Sequence, residues 1–568
     1  MVSETPTPVS ITRVARPIPP FLLSLGVVLV AFVLYASTLS KHYSEGEDSS
    51  WYVHEVTSPS STSALFWPNH LIFNAVNRVI YLICLQAGYQ GNACLPMQIV
   101  NAAAGALSLG IMVRILRRLG VDDRLTLSWV GVTAVCYGFW SYSSQAETYT
   151  LPLIPLLMCV DLIIGLSDDR FSYKTFAWLG CLASIATLLH QQHVLFLVAI
   201  MIAVLIIGYR YRSEVPISRV VMGLAVFGVV SAVIVGTAYF YVAIGIEHLR
   251  EPEAIIRWSR GHANNPNAFN NTWSYSNPIK SLMIGFARSV LGGHFLYGFD
   301  RFDSLVARLF PKQPLLEERY IAHHLSSATL LTSLAAAVAA LISTLAVIRT
   351  IWFPTQVVPM PVESRRRSQA ALTIISLVLV EYYIFNSIVE PLTIEYWIAM
   401  LPMVAIAMAL VQSHRPRATQ WWFAVTSLML SLFVANGLGS ILPQSRHETD
   451  FWYQANSFLI QNAKAGDIII TEGGWMGNNI LSVFTGAEVI SAHQNARSRF
   501  PQILEESNSQ RVWISSWCID PLFSRFVKTR PLVDDATVQR LIQANSDRLI
   551  KRDEGRFQTI WELAPAKP

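Results

Sequence analysis

The sequence predicts a multi-pass α-helical membrane protein of about eleven spans with a small α/β domain at its C-terminal end. Of its 568 residues, 52% are hydrophobic and only 14% are charged, whereas soluble domains carry about 25% charged residues, so lipid must cover much of the surface. Apolar runs of roughly 18 to 22 residues recur along the chain, each long enough to cross a hydrocarbon core of about 30 Å as a helix. From about residue 446 onward the hydropathy falls to soluble values and short β-like runs appear (DIIIT, EVIS, RVWISSW, FQTIWEL) between helical ones.

Spans are expected near residues 20–39, 97–116, 125–143, 150–166, 174–189, 193–209, 219–245, 326–348, 370–386, 397–412 and 419–440. The first run is followed by no small-residue cleavage site, so it reads as an anchor and not as a secretory signal. With residues 1–19 in the cytoplasm, alternate connections carry Arg13 and Arg16, then Arg114 to Arg124, Arg170 and Lys174, Arg210 to Arg219, Arg349 to Arg367, and Arg415 and Arg417. The opposite short turns (145–149, 190–193 and 386–396) hold no Lys or Arg. That asymmetry is the positive-inside pattern. It places the N-terminus in the cytoplasm of a cell (inner) membrane protein and the C-terminus outside. It also accounts for the net charge of +5 without a nucleic-acid partner.

Three domains follow: the tail 1–19, a transmembrane domain 20–445 with outer loops 40–96 and 246–325, and an extracytoplasmic α/β domain 446–568. Residues 68–86 are apolar, but Asn69, His70, Asn74, Asn77 and Arg78 interrupt them. A span there would also move the arginines 114–124 outside, so the segment is read as an interfacial or re-entrant helix. The second outer loop is polar and aromatic, then semi-apolar, and is expected along the membrane surface. The six cysteines form no CxxC pair, which leaves no zinc or thioredoxin-like motif. Cys84 and Cys94 are a possible bridge if both face an oxidising compartment. Asn270 fits a glycosylation pattern that matters only in a eukaryotic secretory setting.

Chemistry is expected just beyond span one. Glu45, Glu47 and Asp48 crowd into four residues where an apolar helix leaves the membrane. Like charges in a partly desolvated place raise carboxylate pKa values toward those of a general base; the competing reading is a hydrated acidic loop. Other polar groups lie at the same face: Trp140, Gln145, Glu147 and Tyr149; His190 to His193; and Glu390, Glu395, Tyr396 and Trp397. Together they suggest a shared polar cavity on one side of the membrane. Singly, each has a plainer role as an interfacial anchor or a solvated turn residue. His190 and His193 do not by themselves define a metal site, and no metal or cofactor is assigned.

The order of motifs resembles the GT-C superfamily of glycosyltransferases. GEDSSWYVHEV followed by FWPNHLIF is similar to the first-loop region of bacterial relatives of the protein O-mannosyltransferases. FWSYSSQAETYTLPL is similar to their FW...AE.Y segment, LLHQQHVLFLV to their histidine-bearing turn, and EPLTIEYWIAMLPM to their late outer turn. The likeness covers about residues 20–410. It departs from the pattern where Pro68 is followed by Asn69 instead of Gly, and where no second first-loop aspartate follows.

The resemblance implies transfer of a sugar from a polyprenyl-phosphate carrier to a glycan, lipid or protein acceptor outside the cytoplasm. It places the base at Asp48, with Glu47 as the nearest competitor. Substrate-binding candidates are His70, Glu147, Tyr149, His190, His193, Arg260, Glu390 and Glu395. Arg257, His262 and Arg288 share Arg260's candidacy for the leaving phosphate by location alone. The alternatives are a transporter or flippase of a lipid-linked glycan and a non-catalytic membrane scaffold. A transporter would favour related halves and broken helices at the midplane, and neither is evident.

Overall fold

A helix satisfies backbone donors and acceptors within its own segment, as a lipid setting requires, and the eleven apolar runs are helical over most of their length. The computed structural model describes residues 19–43, 48–166, 168, 171–261, 278–309, 316–352, 361–414, 418–471, 474–491, 502–503, 506–507, 509–518, 543–555 and 557–565. Glu45, Glu47, His262, Asn270 and nearly all of the N-terminal tail lie outside the described residues.

The helices are α1 (Pro20–Ser37), α2 (Ser49–Thr57), α3 (Phe73–Gln86), α4 (Cys94–Arg118), α5 (Asp123–Val135), α6 (Tyr137–Ser143), α7 (Leu153–Ile164), α8 (Tyr173–Leu189), α9 (Val194–Arg210), α10 (Ile217–Tyr241), α11 (Pro252–Ser259), α12 (Pro278–Val290), α13 (Asp300–Leu309), α14 (Leu316–His323), α15 (Ser327–Trp352), α16 (Val362–Ile388), α17 (Met400–Ser413) and α18 (Ala418–Asn436). Among the described residues seven helical segments are long and apolar enough to cross a membrane: Cys94–Arg118, Gln191–Arg210, Ile217–Ile246, Ser327–Arg349, Val362–Ile388, Ile394–Ser413 and Trp421–Gln444. The other four expected spans are helical but shorter. They comprise α1, the 12-residue α7, the 17-residue α8, and the run 125–143, which splits at Cys136.

The split has a visible compensation. Cys136 takes an extended conformation (φ −57°, ψ 134°), and the carbonyls it frees at the end of α5 accept bonds from elsewhere. Tyr35 Oη donates to the Ala134 carbonyl (3.1 Å) and Asn436 Nδ2 to that of Val135 (2.8 Å). A helix interrupted inside a bundle needs such partners.

Pairs α1/α4, α8/α10, α15/α18, α5/α18 and α9/α16 pack along one another. Leu29, Val30, Val33, Val229, Val233, Leu341, Ile342, Leu345, Phe423 and Leu430 stay exposed as an apolar belt suited to acyl chains. At the arginine-rich end, buried Asp161 of α7 bonds Arg114 (3.0 Å) and Arg118 (3.1 Å), and Arg367 of α16 reaches Asp168 (3.2 Å). Residues 68–86 form a short turn and the 14-residue α3, too short to span about 30 Å at 1.5 Å per residue.

The C-terminal domain carries a five-stranded sheet in the order β2-β1-β3-β5-β4, built from β1 (Ile468–Thr471), β2 (Glu488–Ser491), β3 (Val512–Ser515), β4 (Leu549–Glu554) and β5 (Thr559–Leu563). The first three strands are parallel and the last two join antiparallel. This domain packs against the 40–96 segment. Tyr43, Val53, Val56, Phe73 and Met97 share an apolar core with Phe451, Trp452, Ile480 and Trp517. His42 Nε2 lies 2.9 Å from Thr449 Oγ1, and the Tyr43 amide donates to Asp450 Oδ2 (2.9 Å). Trp452 Nε1 donates to Glu317 of α14 (2.8 Å). All six cysteines are free thiols, with Cys94 Sγ accepting from Tyr43 Oη, so the Cys84 to Cys94 bridge is not formed.

Helix α12 braces the turn after α16. A Cβ added at Gly285 would stand 1.9 Å from the Pro391 carbonyl oxygen and 2.7 Å from Trp397 Nε1. The first of these is backbone and cannot swing aside. Gly285→Ala is therefore expected to lower stability by about 1–3 kcal/mol, read as an earlier thermal unfolding of the detergent-solubilised protein; unchanged melting would refute the brace.

Candidate active site

Asp48 stands at the N-terminus of α2, where its carbonyl accepts the Tyr52 amide (2.9 Å) and its Oδ2 accepts from Tyr52 Oη (3.2 Å). The next residue, Ser49, donates to Glu147 Oε1 at 2.9 Å. Glu147 is 1% exposed on the turn between α6 and α7, and that turn is pinned from α4. Asn101 Nδ2 donates to the carbonyls of Gln145 (2.8 Å) and Glu147 (2.5 Å). On the same turn, Tyr149 Oη donates to Glu395 Oε1 (2.7 Å), while Tyr142 Oη of α6 donates to Glu395 Oε2 (3.3 Å). Glu395 lies on the one-turn helix Ile394–Trp397, closed by Trp397 Nε1 to the Pro391 carbonyl (3.2 Å). Three carboxylates separated by up to about 350 positions thus reach one place.

Their fields overlap. Burial first, then the charges of Asp48 and Glu395, push the Glu147 carboxyl well above the ordinary carboxylate range, against the smaller opposing effect of bonds from Ser49 and Thr148. Burial, followed by Asp48, Glu147 and Glu395, raises the Tyr52 hydroxyl, so it stays a donor. Burial and its acidic neighbours thus shift Glu147 toward its protonated form, whereas Asp48 is only half-buried.

The remaining expected residues divide. His70 is buried, with its ring edge-on to Tyr52 at 4.8 Å, and so backs the Asp48 partner. His190 ends α8 in an extended conformation, and its ring lies 4.8 Å from that of Tyr149. His193 is buried too, but its Nδ1 makes a short hydrogen bond with Tyr382 Oη of α16, which turns it toward the bundle. Arg260 is exposed at the end of α11. It sits at the rim, since Gln191 Nε2 donates to the adjoining Ser259 carbonyl (2.8 Å) and a Cβ at Gly261 would meet Asn69.

Glu390 does not join the cluster. It is exposed and accepts from Thr393 Oγ1 (2.8 Å), because the turn directs Glu395 inward and leaves the residue before Pro391 outside. Arg288 is paired with Glu318 (3.0 Å), a structural role, and Arg257 is exposed. Among the described residues no group of three or more His, Cys, Asp and Glu side chains is arranged to hold a metal ion. Ser49, Tyr52, Asn101 and Tyr142 escaped sequence reasoning. Only Tyr52 carried a signal, four residues after Asp48 on a helix.

A carboxyl whose pKa is raised by folding binds its proton more tightly when folded, so its contribution is complete below the unfolded value of about 4.3 and is lost as pH rises through the folded value. Melting temperature should thus decline as pH increases from the ordinary carboxylate range, and Glu147→Gln, which keeps the acceptor for Ser49, should flatten that decline. Parallel slopes for the two proteins would sink this account of Glu147.

No family model matches the sequence and no curated protein does. Among solved structures, the chain is similar to ArnT from Cupriavidus metallidurans bound to undecaprenyl phosphate, at 12% identity and TM-score 0.47, covering 96% of this chain and 99% of that one. The apo state of the same protein gives 12% and 0.43 over the same shares. The Archaeoglobus fulgidus oligosaccharyltransferase in complex with Zn and sulfate gives 12% and 0.45, covering 88% of this chain and 69% of that one.

Proposed function

We propose that the protein is a membrane glycosyltransferase that moves a sugar from a polyprenyl-phosphate carrier to an acceptor hydroxyl on the extracytoplasmic face. The observation that carries this reading is the meeting of Asp48, Glu147 and Glu395 around the start of α2, where an apolar helix ends. Asp48, the acid among them that is only half-buried, takes the proton from the acceptor oxygen as that oxygen bonds to the sugar C1. The bond from C1 to the phosphate oxygen breaks, and the lipid phosphate departs with inversion at C1. General-base help of this kind supplies about 10² to 10⁴ in rate.

Glu147 and Glu395 divide the remaining work. A protonated Glu147 removes one negative charge from beside Asp48 and offers a donor to a sugar hydroxyl. Glu395, fixed by Tyr142 and Tyr149, is an acceptor whose orientation is set before substrate enters, which is how polar groups in a pocket give specificity. Departing phosphate needs cationic help, and Arg260 at the rim is the side chain we assign to it. The proposed orientation keeps the N-terminus and the arginine-rich loops in the cytoplasm of the inner membrane, with the C-terminal domain outside.

Asp48→Asn is expected to cut sugar transfer by about 10²-fold or more while carrier binding and melting temperature persist, scored as carrier phosphate released from a panel of polyprenyl-phosphate sugars. A transporter or scaffold would be indifferent to the substitution, and full activity would end the proposal. For orientation, Ser61→Cys in a variant lacking Cys84 and Cys181 should react with an impermeant maleimide on intact cells, and Ser213→Cys only after permeabilisation. The reverse pattern would overturn the topology.

A further inference from the structure

The reaction outlined above leaves a row of aromatic rings without a task. From the buried Tyr52, His70 and Phe73, the row passes to Trp51, 5.3 Å from Tyr52 between ring centroids, and on to Trp67, which meets Trp51 edge-on at 4.8 Å. Tyr52, His70 and Phe73 are at most 5% exposed, whereas Trp67 is 41% exposed. Trp51 lies three residues after Asp48 on α2, so the row starts at the reacting carboxylate's own partner and ends at an open indole.

The chain on either side of Trp67 fixes its place. Phe66, Leu71 and Ile72 pack with Leu188 of α8, Val242 and Trp258, and Tyr239 Oη donates to the Pro68 carbonyl (2.5 Å). Just before it, Ser61 and Thr62 are exposed, with the Ser61 and Ser63 hydroxyls 2.7 Å apart. Near this stretch Ser60 Oγ donates to Glu55 of α2 (3.5 Å). An indole face carries negative charge density and attracts the weakly positive axial C–H groups of a pyranose ring, while the ring's equatorial hydroxyls seek small polar partners at the edge. An open tryptophan, braced by a second one, shortly after a hydroxyl-bearing stretch of chain and linked through Trp51 and Tyr52 to Asp48, has that composition.

The geometry points to Trp67, backed by Trp51, as a stacking platform for a pyranose ring of the saccharide substrate, one step out from Asp48. This rests on the glycosyl-transfer reading for the identity of the substrate, but the platform is tested by binding and not by turnover. The shared chemistry is the pyranoside; it belongs either to the lipid-linked donor or to the acceptor.

The test is hydroxyl-radical footprinting of the full chain in lipid nanodiscs, reading oxidation of Trp67 and Trp51 by mass spectrometry. Methyl glucoside, methyl mannoside, methyl galactoside and a polyprenyl-phosphate mannose serve as probes, with sorbitol as the control. At a probe concentration equal to its Kd the site is half occupied, so Trp67 oxidation should fall about twofold with at least one pyranoside and not with sorbitol. Protection by the free glycosides assigns the platform to the acceptor; protection by the lipid-linked sugar alone assigns it to the donor. Trp67→Ala should abolish protection at Trp51, and Trp67→Phe should retain part of it. No protection by any pyranoside, equal protection by sorbitol, or shielding of Trp67 by the bilayer before any sugar is added would overturn the platform. Asp48→Asn should leave protection intact, which separates failure here from failure of the catalytic reading.

Discussion

The crowding of Asp48, Glu147 and Glu395 is the constraint on which the end of the bundle opposite the arginines depends. Bringing carboxylates together away from water is costly, and the cost falls only if they are hydrogen-bonded or protonated. Both devices are present. Ser49, Tyr52, Tyr142 and Tyr149 each donate to one of the three acids, and burial with mutual repulsion shifts Glu147 toward its protonated form. The turns that carry Glu147 and Glu395 are themselves held by other elements: the 144–150 turn by Asn101, the 394–397 turn by the close approach of Gly285 to Pro391. The scaffold is thus organised around groups that would separate if left to themselves.

The two ends of the bundle solve opposite electrostatic problems. At the arginine-rich end, acids stand beside cations: Asp161 with Arg114 and Arg118, Asp168 with Arg118 and Arg367, Glu214 with Arg366. At the other end, the acids of the candidate site take their bonds from hydroxyls instead. Neutralisation by cations stabilises a structure and fixes an orientation in the bilayer, but it leaves no carboxylate available to accept a proton. Neutral hydroxyl donors hold a carboxylate in position without placing a full positive charge beside it, so they depress its basicity less than a cation would. The same residue type sits beside cations at one end and beside neutral hydroxyls at the other.

The helices were legible because span length and apolarity are properties of a segment alone. The eleven apolar runs are all helical, and four strands coincide with the β-like runs at 467–471, 488–491, 511–517 and 557–563. Strand β4, LIKRDE, was not legible, since four successive charges hide the alternation of an exposed edge strand. Residue choice at the site was readable only to the level of which turns face one another. Glu147, Glu395, Tyr149 and His190 do lie near one another, but which way a turn points is set through space. Glu390 and Glu395 share a turn and end up on opposite sides of it, and His193 is drawn to Tyr382, 189 positions away. Nor does hydropathy register the break at Cys136, because an apolar run reads the same whether its axis is straight or bent.

Helix α2 has nine residues, shorter than the length of about 12 to 15 at which isolated helices become even marginal in water. Its position cannot come from its own propensity, so it must be imposed by packing. Val53 and Val56, four and seven residues after Ser49 and so on the same face of the helix, supply that packing in a core shared with Ala146 and with Trp452, Ile480 and Trp517 of the C-terminal domain. Bonds from Tyr43 to Asp450 and between His42 and Thr449 hold the chain just ahead of Asp48 to the same domain. The C-terminal domain therefore does more than cap the bundle. It is the solid surface against which a short acidic helix is pressed so that Asp48 stays beside Glu147, and the geometry of the site is set as much by residues after 446 as by the loop that carries the acid.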